Sequence, residues 1–520
     1  MNNNQIRLRY SGFIVFANQL LGVVTGLIFT LLLTRSMSAA EFGIWTNIFD
    51  YTPYFIILGG ILPFWVLRFV ARGKEGAAKT AAVTQLFIAV VATVAYLPAI
   101  YFISNAIGTT QYLLIYLIAG GYVLTYYLIT VFEGILTAVK PQTTGYGFMI
   151  QEIVKVTVAL LVILVFKQVF LGAILALVVA PTVQSIYYIV LLRGFFKEKI
   201  NWSYLKQWLK GAPAQLYNAV GTTLLSLAFI VLFVYGGSEA RGYYQAALSF
   251  TTIVSYASSL SVSLYPKLLA NSCSDEEVGL SFKTVLMMAI PLATLCIVMS
   301  VSFLTVLHPP GLPGGSYGVA WPVLIALTAD TLVLLVTNFY SSCLMGVEAF
   351  DAEGRISLRQ LVKSKIFKVY SIPYIQAVFI IPIVYYAMTQ TPVDGPVTTA
   401  VAFVGILIAV HTATFVGLYA FMRNSIHIPV AWASIAKYVL SALLMGVVLY
   451  FLPTTTTLTS TVAKTVGGFA LYIGLLLLID EQARELVKLI WQEIVYSTKQ
   501  LRHKADNSDS GENIPASSEN

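Results

Sequence analysis

Five ionisable side chains stand inside long apolar runs: Asp50, Glu133, Glu152, Lys155 and Asp330. A charge at mid-bilayer costs about 2.5–3.5 kcal/mol on insertion scales, so each must face a wet cavity, find a partner or lose its charge. All five are therefore candidates for ion coupling or gating. Asp330 is the deepest. On a helix, Asp330, Thr337, Asn338 and Ser341 fall near one side, and this polar stripe is expected to line a cavity with Asp330 as a proton or cation site. The competing reading is a hydrogen-bonded contact between helices. Glu152 and Lys155, three residues apart, can pair on one helical face, either as a structural ion pair or as a gate. Glu133 and Asp50 lie toward opposite ends of their runs, within reach of water.

Amides form a second group. Asn18 and Gln19 in the first apolar run match Gln215 and Asn218 in the seventh in depth, and Gln215 and Asn218 share a face. Amides can hydrogen-bond sugar hydroxyls or phosphate oxygens, but they also join helices in ordinary bundles. Arg68 and Lys267 close the second and eighth runs, as anchors at the membrane surface or as a funnel for an anionic headgroup. Arg35 can compensate the dipole at the end of a helix or meet a phosphate. No Ser/His/Asp spacing, metal-ligand cluster or phosphate-cradling glycine loop accompanies them. His308, His411, His427 and His503 are scattered and read as structural or surface residues. Asp351 and Glu353 imitate a metal-binding pair but sit in a loop. Cys273, Cys296 and Cys343 have no metal-like or disulfide spacing. We therefore expect no catalytic residues, no metal and no cofactor beyond a coupled proton or sodium ion, and no nucleic acid as partner.

The elements that hold these residues follow from composition. The chain has 520 residues, 58% hydrophobic and 10% charged. A soluble domain carries about 25% charged residues, so a water-soluble protein is excluded. Runs of about 20 apolar residues, the length that crosses a bilayer, number fourteen: 11–33, 43–66, 81–103, 112–138, 145–166, 169–192, 212–235, 243–266, 284–307, 319–346, 369–389, 398–421, 431–452 and 463–479. We refer to them as spans 1 to 14. The loops are too short for a folded domain.

Basic residues fix the expected orientation. With residues 1–10 in the cytoplasm, 25 of the 31 lysines and arginines fall on the inner side, and only Arg35, Lys167, Arg241 and Lys464 fall outside. Both termini are then cytoplasmic, and the first run is a retained helix rather than a signal peptide. Residues 480–504 place Leu486, Leu489, Ile490, Ile494 and Leu501 near one face, which predicts an interfacial amphipathic helix. Residues 505–520 are polar and expected to be disordered.

The halves echo one another. Asn18 and Asn218 are 200 residues apart, Gly43 and Gly242 are 199 apart, and Arg68 and Lys267 are 199 apart. Residues 152–156 resemble 365–369. Six spans separate the copies, an even number, so the pseudo-twofold axis runs along the membrane normal. The expectation is an all-α polytopic membrane protein of about 14 transmembrane helices: a six-helix bundle over 1–210, a second over 211–422, and two additional helices over 423–479. Two such bundles would enclose a central cavity suited to alternating access.

The run Leu31-Leu-Leu-Thr-Arg35-Ser-Met-Ser-Ala-Ala-Glu41-Phe-Gly43-Ile-Trp45 resembles a signature of the polysaccharide and lipid-linked oligosaccharide flippases of the multidrug/oligosaccharidyl-lipid/polysaccharide exporter superfamily. The resemblance extends over residues 1–479 and is strongest at 35–45. It implies a plasma-membrane flippase that moves a polyprenyl-(di)phosphate-linked oligosaccharide to the external leaflet, with membrane lipids, glycosyltransferases or a polymerase as partners. The same stretch also has a local reading. Ser38 and Glu41 are spaced as a capping box, with Met37 and Phe42 as the hydrophobic staple that starts span 2. A cation-coupled multidrug antiporter and a non-transporting subunit of a polysaccharide synthase are the alternatives.

Overall fold

The computed structural model describes residues 21–22, 24–261, 274–309, 311–312, 316–346, 364–390, 394–423, 428–481 and 483–484. Asn18, Gln19, Lys267, Asp351 and Glu353, most of the expected 480–504 helix and the 505–520 tail lie outside them. Among the described residues every regular element is helical.

Eleven helices are long and apolar enough to cross a membrane, and a broken pair makes a twelfth. That pair is span 2, formed by Ala39–Ile56 and Ile61–Ala71 with a bend of 57° between them. The break falls at residues 57–60, where Gly59 donates its N–H to the Ile56 carbonyl at 2.8 Å. Pro63 is not itself the kink. It sits in the first turn of the second segment, where the missing N–H costs nothing.

Two further helices complete the expected fourteen. Val24–Thr34 belongs to span 1. Ser238–Ser255 is span 8, and it carries Glu239, Arg241 and Gln245. It begins five residues before its apolar run, directly after Gly237, whose φ of +95° lets the chain turn without strain. Arg241 therefore lies within span 8 rather than in an external loop. Residues 193–211, expected as a loop, contain another helix, Trp202–Gly211. Its Trp208 is fully buried, edge-on to Phe69 with ring centroids 5.5 Å apart.

Each half repeats one pattern of neighbours. Span 2 packs on span 4, 3 on 4, 4 on 6 and 5 on 6; span 8 packs on span 10, 9 on 10, 10 on 12 and 11 on 12. Spans 1 and 5 meet through Thr25 and Glu152, as spans 7 and 11 meet through Tyr217 and Tyr374. Spans 13 (Trp432–Phe451) and 14 (Leu458–Ile479) lie against span 9. Phe87, Phe102, Tyr450 and Phe451 are about 70–80% exposed. So much bare aromatic surface is stable only in hydrocarbon; the chain is a multi-pass membrane protein.

Candidate functional site

Span 2 bends where span 7 begins, and a cavity of about 370 Å³ opens between the two bundles. Its walls include Pro53, Ile57 and Gly60 of span 2, Tyr126 of span 4, and Gln215, Asn218 and Thr222 of span 7. Two of the predicted amides thus share one space. The Gln215 side-chain oxygen is buried without a hydrogen-bond partner among the described residues. The backbone under these amides is held firmly. Tyr374 donates to the Tyr217 carbonyl at 2.6 Å, and the two rings stack at 4.5 Å. The cavity lies toward the end of the protein where Arg68, Lys140, Arg193, Lys206 and Lys210 collect, here termed the basic end.

At the opposite end the bundles are in contact. Spans 2 and 8 cross backbone to backbone at the repeated glycines. A Cβ on Gly43 would overlap the Ser238 carbonyl oxygen, and one on Gly242 would overlap that of Ala39. The entry of span 2 is fixed locally, as its spacing predicts. Ser38 and Glu41 form a capping box, and Met37 and Phe42 are buried. Two turns further on, Asp50 accepts from Arg241 through both carboxylate oxygens, at 3.0 and 2.8 Å. Both residues are less than 10% exposed, and Arg241 also donates to Gln245 at 3.1 Å. Asp50 is therefore neutralised across the bundle boundary and is not a lone carboxylate awaiting an ion. Arg35 donates to the Val306 carbonyl at 3.2 Å. It compensates the C-terminal end of span 9 rather than that of its own helix. Thr34 donates to the Leu307 carbonyl, and His308 meets the Thr34 carbonyl at 2.6 Å.

The remaining embedded charges are distributed inside the bundles. Lys155 pairs with Glu152 at 2.6 Å, and Glu152 also accepts from Thr25. This is the expected intrahelical ion pair, with span 1 added to it. Glu133 accepts from Gln184 and Tyr188, each at 3.2 Å, and has no basic partner among the described residues. Asp330 does not line the cavity between the bundles. It is 2% exposed and turned toward span 12, where His411 Nδ1 lies 2.7 Å from its carboxylate. Thr337 and Ser341 are buried as well, and only Asn338 of the stripe is exposed. The stripe faces the interior of its own bundle because span 10 is the central helix there, packed on spans 8, 9 and 12. Arg68 is partly buried, its guanidinium 3.6 Å from the centroid of the Phe64 ring. Local spacing carried no signal for Arg241 or His411. Their partners lie 191 and 81 residues away.

No family model matches the chain, and no curated protein sequence matches it. Solved structures do. The lipid II flippase MurJ in an inward closed conformation aligns with a TM-score of 0.66 at 15% identity, covering 92% of this chain and 99% of that one. An inward-facing multidrug resistance MATE transporter of the MOP superfamily aligns at 0.58 and 13% identity, over 78% and 95% of the two chains. A MOP superfamily transporter from Pyrococcus furiosus aligns at 0.50 and 14%, over 81% and 94%. These alignments show that the chain has the fold of the MOP superfamily transporters.

Proposed function

We propose that the protein is a flippase of the plasma membrane. It carries a polyprenyl-(di)phosphate-linked oligosaccharide from the cytoplasmic to the external leaflet by alternating access. The observation that carries this reading is the cavity between the bundles. It lies toward the basic end, it is lined by Gln215, Asn218 and Thr222, and none of the described residues lining it is a carboxylate. Neutral amides beside a basic mouth suit a glycan on an anionic phosphate. A pocket for organic cations would want acids, and this separates the proposal from multidrug antiport. Positive-inside orientation puts the basic end in the cytoplasm, so the conformer is the inward one, sealed outside by Asp50–Arg241 and the two glycines.

The membrane potential can supply the drive. A diphosphate diester carries two negative charges, and each gains about 2.3 kcal/mol per 100 mV on moving outward from a negative interior. Coupling to a proton or sodium ion is assigned to the Asp330–His411 pair, since no lysine or arginine pairs with that carboxylate among the described residues. Glycosyltransferases would supply the glycan, and a polymerase would consume it outside.

The test uses purified protein in liposomes holding a fluorescent polyprenyl-diphosphate oligosaccharide. Probe exposed at the outer surface is oxidised or bleached with an impermeant reagent. Potential-stimulated movement of this lipid, with no uptake of organic cations, is expected. Cation transport without lipid movement would reverse the assignment, and movement of neither would leave the synthase-subunit alternative.

A further inference from the structure

A second concavity lies on the C-terminal bundle; it shares span 11 with the cavity between the bundles, which Tyr370 lines, but no lining residue is common to the two. It runs between spans 11 (Lys365–Gln390) and 12 (Pro396–Met422), with a volume of about 500 Å³. Ile375, Phe379 and Ile383 form one wall, and Ala413, Gly417 and Phe421 are among the residues of the other. From Lys368 to Ile383 it is about 22 Å long at 1.5 Å per residue. That matches half of a bilayer about 40–45 Å thick with its headgroups. Such a groove spans one leaflet, the reach of a single lipid.

The end of the groove is charged. Lys368 lies at its basic-end mouth, with Nζ 3.8 Å from the centroid of the Phe421 ring. Lys365 opens span 11 beside it, and Arg423 directly follows span 12. No carboxylate pairs with any of the three among the described residues. A lysine held over an aromatic ring is kept at a fixed height by cation–π attraction instead of sweeping the headgroup region. The floor is open because small residues stand where larger ones would fill it: a Cβ on Gly417 would meet nothing within 4 Å.

We propose that this groove is a binding site for one anionic glycerophospholipid of the basic-end leaflet. One acyl chain lies along Ile375, Phe379 and Gly417, and the phosphate lies against Lys368. The site is separate from the proposed transport path and does not depend on what is transported.

Native mass spectrometry of the full chain, titrated with phosphatidylglycerol or phosphatidylcholine, tests the assignment. Wild type is expected to retain one phosphatidylglycerol in preference to phosphatidylcholine. Lys368→Gln should lower that preference about fivefold, the effect of one surface lysine on an anionic lipid, and Lys368→Arg should keep it. Gly417→Leu should reduce retention of both lipids. Gly405→Leu is the control: it is on the same helix, also in open space, and outside the groove. Lys368 is exposed, so its variants read the site even where groove-filling variants fold poorly. Equal phosphatidylglycerol retention by wild type and Lys368→Gln would overturn the proposal. One-for-one displacement of the phospholipid by undecaprenyl phosphate would also overturn it, giving the groove to the carrier lipid instead.

Discussion

Asp50→Asn isolates the only described ion pair that joins the two bundles. In the conformer seen here, the substitution leaves Arg241 buried and without its counter-ion. Removing one member of a buried pair costs about 3–5 kcal/mol, because the other charge stays desolvated. In a conformer open at this end, water solvates Arg241 and most of that cost disappears. The equilibrium should therefore move toward the open form by as much as the cost, roughly two to three and a half orders of magnitude at about 1.4 kcal/mol per tenfold. Thr46 is a suitable reporter. It is 8% exposed, three residues after Gly43 and four before Asp50, on the same face of span 2. In a background with Cys273, Cys296 and Cys343 replaced by serine, Thr46→Cys should react slowly with an impermeant maleimide supplied at the Asp50 end. Adding Asp50→Asn should accelerate labelling at least about tenfold. Adding Arg241→Gln as well should restore protection, since the double variant leaves no buried charge unpaired. A rate within about twofold of the parent in a folded Asp50→Asn protein would refute the view that the pair holds this end closed. Acceleration that Arg241→Gln does not reverse would refute it equally.

Three further outcomes are expected. Gln215→Leu removes an unpartnered buried amide, so a thermal scan should show equal or higher stability, while binding of the lipid-linked glycan weakens about two- to tenfold for one lost hydrogen bond; unchanged binding would take Gln215 out of the substrate path. Asp330→Asn should abolish stimulation of transport by an imposed proton or sodium gradient while leaving the potential-driven component, and full gradient response in liposomes would end the coupling role. Trp208→Ala should destabilise the packing of Trp202–Gly211 by about 3–5 kcal/mol, seen as faster hydrogen exchange across that helix with the spans themselves unaffected.

The sequence discloses what is written in runs and short spacings. Membrane spans, the Ser38–Glu41 cap and the Glu152–Lys155 pair each need only neighbours on one helix, and all three stand in the structure. The matching glycines at 43 and 242 pointed to the repeat and turned out to touch each other. What stayed hidden depends on contacts made across the fold. Asp50 could be seen as embedded, but its partner Arg241 was hidden because span 8 is too polar at its start to read as membrane. Asp330 was visible as a buried acid, yet which way it faces depends on span 10 being the central helix of its bundle. The Trp202–Gly211 helix was missed because it is amphipathic and short, with a charged face that reads as a loop. Its strongest sign was Trp202, Tyr204, Leu205, Trp208 and Leu209 recurring at helical spacing between lysines.

The crossing of Gly43 and Gly242 has a mechanical consequence. Packed side chains interlock, and separating them means withdrawing knobs from holes and opening voids. Two glycines bring backbones together with nothing to withdraw. The surfaces adhere through many weak contacts, Cα–H···O among them, each worth at most about 0.5–1 kcal/mol. Such a seam closes tightly yet parts along a smooth face, much as two glass plates slide where two gears would jam. Resistance to opening then rests on the polar contacts beside the seam, the Asp50–Arg241 pair and the Thr34, Arg35 and His308 bonds between spans 1 and 9, all of which water can replace, so the joint behaves as a bare bearing surface with a separate, solvent-sensitive catch.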